Sequence, residues 1–376
     1  MNDTTRAQLA FIGVTAWRNA GFDGRGITVW ITELSTGTHG ANVTPVFRDT
    51  APGARIVNGS INRTTPNRHE MTNLTVTDEQ DNRRLISFDD FLNRYKPDIL
   101  SSSNGGTQNT EWARVFNETQ RIFNFSAFQA AHNQGVELPG GLGNQFPVEL
   151  ALVIGALQWS NGNPSRASWS NFGDVLDFMQ LQGGVHQGTS FSTPVQAGMA
   201  AMIMQRYGKM SQQELFNYLR FIARPLGPAG EEHDIWYGWG QPILPALRRR
   251  YITMTTHSNT YHIDGQPYQM DTRPVNIEGN VFVPVRVISE GLGKQVDWQA
   301  ISNGVVNVTI RGNGIAVNLT TGSDIMTVNG RKVILNFAPF IDENSRTLVP
   351  IRAIAEAFRC QVNWVQREAK VMILEG

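Results

Sequence analysis

The chain has 376 residues, 40% of them hydrophobic and 17% charged, and lysine plus arginine balance aspartate plus glutamate at 32 each. This length supplies a sizeable core and two or three domains, while the even charge gives no global field to favour nucleic acid or an anionic membrane. The single cysteine, Cys360, excludes an intramolecular disulfide and a cysteine-based zinc site; set in what reads as a packed helix, it is expected to be a small buried hydrophobe.

The opening segment MNDTTRAQLAFIGVTAW lacks the basic region and long apolar core of a signal peptide, and no apolar run reaches membrane-spanning length. No membrane insertion is expected, and a cytoplasmic location is the default. Short apolar runs then alternate with segments of helical spacing. The runs GITVWIT (26–32), ARIVNGSI (54–61), DILSSS (98–103), FSAFQAA (125–131) and ALVIGAL (151–157) read as buried parallel strands. Between them, SFDDFLNRYK (87–96) opens on a serine cap and TEWARVFNETQRIF (110–123) has helical spacing. Strand and helix in alternation predict a mainly parallel sheet with helices on both faces, whose active site forms at the carboxyl ends of the strands.

The residues just past those ends carry candidate chemistry. Glu33 ends the first strand, and His39 follows in THGANV at a helix start. Asn133 offers a side-chain amide in AAHNQG, after the FSAFQAA strand. GTSFSTPVQAGMAAMI (188–203) combines good capping residues, a proline suited to a first helical turn, and an apolar run. It predicts a helix buried almost all round, with Gly198 allowing close backbone approach. Either this is a capped core helix and nothing more, or Ser190 is a nucleophile held at the positive end of a buried helix.

From about Tyr251 the texture changes and the chain repeats itself. FVPVRVISEGLGKQVDW (282–298) corresponds to LVPIRAIAEAFRCQVNW (348–364) at an offset of 66, matching Arg286 with Arg352, Glu290 with Glu356 and Trp298 with Trp364. HIDGQPYQM (262–270) pairs with TVNGRKVIL (327–335), each an Asp-Gly or Asn-Gly hairpin turn between strand-like flanks. Each unit, about 258–311 and 322–376, reads as a hairpin, a short helix after the V-P-[VI]-R step, and a closing strand after the tryptophan. Two such units make one small α+β domain or a pair of them. The matched Arg, Glu and Trp serve internal packing and ion pairing, or else a repeated ligand or surface contact.

GTSFSTP (188–194) resembles the nucleophile motif of the subtilisin-like serine peptidases. THGANV (38–43) with APGARIV (51–57) is similar to that family's catalytic-histidine helix and next strand, AAHNQG (130–135) to its oxyanion segment, and SSNGG (102–106) to its substrate-edge strand. SWSNFGD (168–174) and YGWGQPIL (237–244) follow in the family's order. The resemblance implies a peptidase domain over residues 1–250. It implies Ser190 as nucleophile, His39 as base, Glu33 as the acid orienting His39, and Asn133 as oxyanion donor. Ser103, Asn104 and Gly105 would pair with an extended substrate, and His132 would line the pocket for the side chain preceding the cut bond or turn aside to a local hydrogen bond.

The sequence departs from the family in three places. Glu33 stands where the family has aspartate, the link from acid to base is short, and His132 replaces a glycine. No pro-segment precedes the domain, which fits the family's intracellular members. The region 251–376 resembles the small domain at the N-terminus of some copper amine oxidases, used in tandem as a stalk on bacterial surface proteins; it implies no copper here, because no His or Cys cluster is present. No cofactor is expected beyond structural calcium, whose ligands the sequence does not locate. Stalk-like repeats without a signal segment also fit a phage or other extracellular particle. Two functions stand: a serine endopeptidase acting on polypeptides, with a C-terminal domain that positions it or binds a protein or cell-surface partner, or a pseudopeptidase serving as a structural or peptide-binding module.

Overall fold

Asn2 starts the first helix: its side chain accepts from Thr5 N at 2.7 Å, and α1 (Asp3–Phe11) and α2 (Val14–Asn19) follow. The structure is a computed structural model that describes all residues except 34–38, 62–73, 78–82, 104–109, 139–150, 161, 185, 228–232 and 303. The chain divides into two units, Met1–Pro245 and Ala246–Gly376.

In the first unit, β1 (Thr28–Ile31) leads to α3 (Gly40–Thr50) and β2 (Arg55–Ile61), and then to β3 (Leu74–Thr77) and β4 (Arg83–Ile86). Next come α4 (Phe88–Tyr95), capped by Ser87 as the sequence predicts, β5 (Ile99–Ser102), α5 (Thr110–Phe123), β6 (Ser126–Ala130), β7 (Leu152–Ser160), β8 (Asn163–Arg166) and β9 (Phe178–Leu181). Among the described residues these strands form one sheet in the order β4-β3-β2-β1-β5-β6-β7-β8, with β9 also on β7. The strands β2, β1, β5, β6, β7 and β9 run parallel, while β3, β4 and β8 are antiparallel additions. After β1 the chain goes first to one side of it, at β2, and later to the other, at β5. That reversal makes the carboxyl ends of β1 and β5 a topological switch point, where such sheets build their sites.

Helix α6 (Thr189–Tyr207) packs on β5, β6, β7, β9 and α3, and nearly all of it is buried, as its unbroken apolar run predicts. The expected placement of Pro194 in the first turn is corrected: the helix begins at Thr189, so Pro194 lies in the second turn. Proline has no N–H to give residue i−4, so the Ser190 carbonyl is left without its intrahelical donor. The Ser103 hydroxyl takes that place, donating to Ser190 O at 2.8 Å. The unit closes with α7 (Gln212–Ile222), β10 (Ala223–Arg224) and β11 (Gln241–Pro242).

Gly198 fulfils its expected role where α3 and α6 touch. A Cβ there would stand 2.7 Å from Thr50 Cγ2, closer than real carbon contacts come. Gly198→Ala is therefore expected to destabilise the N-terminal unit by about 1–3 kcal/mol through overpacking, read as a lower denaturation midpoint. An unchanged midpoint would mean that Thr50 yields freely.

The second unit begins with β12 (Tyr251–Thr255), the hairpin β13 (Thr260–Ile263) and β14 (Gln266–Gln269), β15 (Val275–Ile277), β16 (Asn280–Pro284) and α8 (Val285–Leu292). There follow β17 (Gln295–Ser302), β18 (Val305–Gly312), β19 (Ile315–Thr320), the hairpin β20 (Ile325–Val328) and β21 (Arg331–Ile334), β22 (Phe340–Ile341), β23 (Thr347–Pro350), α9 (Ile351–Ala357), β24 (Gln361–Val365) and β25 (Lys370–Leu374). Both expected hairpin turns form, with positive φ at Asp264, Gly265, Asn329 and Gly330. Both short helices start straight after the repeated proline.

The repeats interlock. Strand β16 pairs with β23 so that Val283 faces Val349, its own counterpart in the second repeat. One sheet runs β14-β13-β12-β25-β24 and another β17-β18-β19-β20-β21, so each joins the hairpin of one repeat to the closing strands of the other. The buried apolar cluster likewise draws on both repeats, and neither half has a core of its own. Two local expectations are corrected: Trp298 and Trp364 lie within β17 and β24 rather than before a closing strand, and Cys360 lies in the turn after α9, buried but not helical. The matched charges make contacts within the unit. Arg352 pairs with Glu356 at 3.3 Å and Arg286 with Asp271 at 3.4 Å, while Glu290 accepts from the Tyr261 hydroxyl at 2.6 Å. The matched tryptophans differ: Trp364 is half-buried, whereas Trp298 is 71% exposed.

Candidate active site

Two residues past β1 the chain turns Glu33 inward, and its side chain is almost wholly buried. Three contacts hold it there. Ser103 N, just past β5, donates to Oε1 at 3.0 Å, the Thr32 hydroxyl donates to Oε2 at 3.3 Å, and Asn58 Nδ2 donates to the Glu33 carbonyl at 2.9 Å. Burial raises the carboxyl to about 7, partly opposed by hydrogen bonds from the Glu33 and Ser103 backbone and from Thr32. Asn58 also donates to Thr44 Oγ1 at 3.0 Å, tying the end of β1 to α3.

His39 caps α3 as its sequence position predicts, with its carbonyl accepting from the amides of Asn42 and Val43. Its Nδ1 stands 3.8 Å from Glu33 Oε1, close enough for electrostatic attraction but beyond hydrogen-bond length. The Glu33 carboxylate therefore faces Nδ1 of the imidazole with a gap remaining. The ring is half-exposed, and its partial burial lowers its pKa from the ordinary value of 6.5. The Phe191 ring lies 6.2 Å from it and stacks on His186 at 5.0 Å.

Ser190 is buried in the first turn of α6, where backbone N–H groups have no intrahelical acceptor. Gly188 enters that turn at φ 147°, a conformation that favours glycine. The Ser190 hydroxyl donates to Ser103 O at 3.3 Å, and among the described residues no hydrogen bond joins it to the His39 ring. Asn133 lies past β6 with its Oδ1 fixed by Thr189 N at 2.8 Å and Thr189 Oγ1 at 3.1 Å. Among the described residues nothing accepts from Nδ2, which lies 3.6 Å from where a Cβ on residue 188 would stand.

His132 adopts φ 70°, a left-handed conformation that explains why glycine suits this position. Its backbone is held by Thr189 Oγ1 and Asn171 N, whereas its Nε2 is buried with no hydrogen-bond partner among the described residues. Among the described residues, then, the local hydrogen bonds of this residue are those of its backbone, and its Nε2 makes none. Burial lowers the pKa of the ring. Ser103 lies where β5 ends, between Glu33 and Ser190; Asn104 and Gly105 fall outside the described residues.

Glu33, His39, Ser103, Asn133 and Ser190 thus converge from β1, α3, β5, β6 and α6 on one end of the sheet. Sequence reasoning passed over Asn58 and gave Thr189 only as a capping residue, whereas Asn58 holds the Glu33 carbonyl and Thr189 holds Asn133 and His132. The signal for Asn58 was a lone amide inside an apolar strand. Among the described residues no three His, Cys, Asp or Glu side chains stand close enough to hold a metal ion.

Comparison with known proteins agrees in chain order. The model of the subtilase family matches residues 31–240, and that of the copper amine oxidase N-terminal domain matches residues 203–307 and 306–373. The first of the latter matches begins inside α6, ahead of the structural division after Pro245. An extracellular serine protease of Serratia marcescens is 28% identical over 141 residues, which is 36% of this chain and 13% of that relative. Among solved structures, a cold adapted subtilisin-like serine proteinase aligns at TM-score 0.42 and 19% identity, covering 59% of this chain and 88% of its own. The prenylagaramide maturation protease PagA aligns at 0.44 and 18%, covering 61% and 95%. MycP1, a serine protease of the type VII (ESX-1) secretion system, aligns at 0.43 and 17%, covering 63% and 86%.

Proposed function

The chain belongs to the subtilase family, and from that premise we propose that it cleaves polypeptides by acyl transfer through Ser190. The observation that carries the reading is the convergence of Ser190, His39, Glu33 and Asn133 at one switch point, with the Glu33 carboxylate facing His39 Nδ1 at 3.8 Å. Ser190 Oγ leaves Ser103 O for His39 Nε2, gives up its proton there and attacks the scissile carbonyl. Ionised Glu33 holds the imidazole in the correct tautomer and stabilises the imidazolium that forms. The Asn133 Nδ2 group and the Ser190 N–H receive the developing oxyanion, aided by the positive end of α6. An extended substrate pairs with the segment from Ser103 through Asn104 and Gly105.

His132 lines the pocket for the side chain preceding the cut bond. The support is its place beside Asn133 and the partial exposure of its side chain. With its pKa lowered, the ring is neutral near pH 7 and offers a hydrogen bond rather than a charge. Small or hydrogen-bonding side chains are therefore favoured over carboxylates. The C-terminal repeats bind or position a polypeptide partner.

A fluorophosphonate, which reacts with a serine activated in this way, tests the reading: the folded chain is expected to label. Asn133→Ala is expected to keep labelling at a reduced rate and to lower kcat by about 10²–10³, a magnitude carried over from a well-studied member of the same family. Steady-state kinetics on an unstructured polypeptide check it, and an unchanged kcat would remove Asn133 from the oxyanion site. A second reading, a module that keeps the fold without hydrolysis, is favoured by the Ser190 hydroxyl lying on Ser103 O and by the gap between Glu33 and His39. Folded protein that does not label supports it.

A further inference from the structure

An apolar groove of about 390 Å³ lies in the C-terminal unit between β21 and β24, backed by α9. Neighbouring residues of a strand point to opposite faces, so consecutive residues line one cavity only where the strand presents its edge. Strand β21 lines the groove with Val333 and Ile334, and β24 does so with Asn363 and Trp364. Both strands stand at the ends of their sheets. The groove is therefore walled by two strand edges.

The two edges are not equally open. On β24 the Val362 carbonyl already accepts from Arg352 Nη1 at 2.9 Å, whereas among the described residues no side chain hydrogen-bonds the backbone of β21. Ile334 is 79% exposed, and Ile325, opposite it in the hairpin, is 43% exposed. Such apolar exposure on an edge strand marks a pairing site unless it is shielded. Arg331 and Lys332 are exposed on the same strand and make no ion pair among the described residues. They project to opposite faces, so any strand laid along β21 meets a cation on each face.

We propose that β21 accepts an added strand from a partner polypeptide: an extended segment that pairs with the β21 edge, sets apolar side chains into the groove on one face and carries carboxylates opposite Arg331 or Lys332 on the other. Opposite charges facing across a ladder stabilise it, and like charges oppose it. A second copy of this edge would bring its own Arg331 and Lys332 to the strand pair, so the charge selects a different, acidic partner. The site is separate from Ser190 and does not depend on catalysis there.

The test uses the full chain carrying Ser190→Ala, so that no probe is cut, and reads fluorescence anisotropy of short labelled peptides. A peptide alternating valine with glutamate is expected to bind, its valine–lysine counterpart about tenfold or more weakly, and a serine–glutamate peptide not at all. Ile334→Asp is expected to abolish binding, and the surface pair Arg331→Glu with Lys332→Glu to reverse the preference toward the lysine peptide. If Ile334→Asp fails to fold, the charge reversal decides. Equal binding of the two valine peptides, or binding untouched by the β21 variants, overturns the proposal. So does capture of phosphatidylserine vesicles or self-association through β21 without peptide binding.

Discussion

Ser190→Ala is expected to abolish fluorophosphonate labelling and to lower kcat by about 10⁶, a magnitude carried over from a well-studied member of the family. The physical reason is that, among the described residues, no other hydroxyl is placed to share its position. Thr189 Oγ1 is taken up by Asn133 Oδ1 and His132 N, and Ser103 Oγ by the Ser190 carbonyl. The variant should keep its fold. Among the described residues the hydroxyl's one hydrogen bond, to Ser103 O, is long at 3.3 Å, while the shorter Ser103 contact runs to the Ser190 backbone, which alanine retains. Labelling of wild type and variant with equal far-ultraviolet dichroism is the measurement. Label that persists in Ser190→Ala would place the nucleophile elsewhere, and absence of label from both would favour the module without hydrolysis.

Glu33→Gln is expected to act in two opposite directions. Activity should fall by up to about 10⁴ in kcat, because an amide can accept from Ser103 N but cannot stabilise an imidazolium. Stability above neutral pH should rise. Burial lifts the Glu33 carboxyl from 4.5 to about 7, so the folded chain prefers the neutral acid. What Glu33 contributes in that form is fully present below pH 4.5 and is lost as pH climbs through 7. The gap between 4.5 and about 7 corresponds to about 3 kcal/mol, which glutamine, uncharged at every pH, does not forfeit. Denaturation of both proteins at pH 5 and pH 8.5 measures this, and equal pH dependence would show that Glu33 is not held neutral by burial. The same titration sets the pH profile of kcat/KM. Partial burial already favours neutral His39, so the acid limb near pH 7 reports the pair through Glu33, and in Glu33→Gln it should move below 6.5. Burial that raises the Glu33 carboxyl thus costs stability at the pH where the proposed mechanism needs it ionised.

The legible parts of this protein are those fixed by local chemistry. Apolar runs with no polar face gave the parallel strands, Ser87 gave its helix cap, and the Asp-Gly and Asn-Gly pairs gave turns that only positive φ closes. Ordered short motifs pointed to Ser190, His39 and Asn133, which the structure brings to one end of the sheet, because an N-terminal helix turn and a strand end are both written in adjacent residues. The repeat offset gave the matched pairs of the C-terminal unit. Less legible was the position of Pro194, since the start of α6 is set by Gly188 and its contacts rather than by the proline.

What only the tertiary structure decided depends on residues far apart in the chain. That Glu33 is buried follows from Ser103 and Asn58 closing over it, and no spacing within one segment specifies that burial or the raised carboxyl that results. The 3.8 Å gap to His39 likewise depends on where α3 comes to rest against α6, with Gly198 against Thr50. In the C-terminal unit the sequence showed two alike halves but not their interlocking, since pairing Val283 with Val349 is a long-range choice between sheets of similar composition. Local sequence fixes conformations of a few residues, whereas hydrogen-bond partners and desolvation belong to the packed assembly and exist only once distant segments meet.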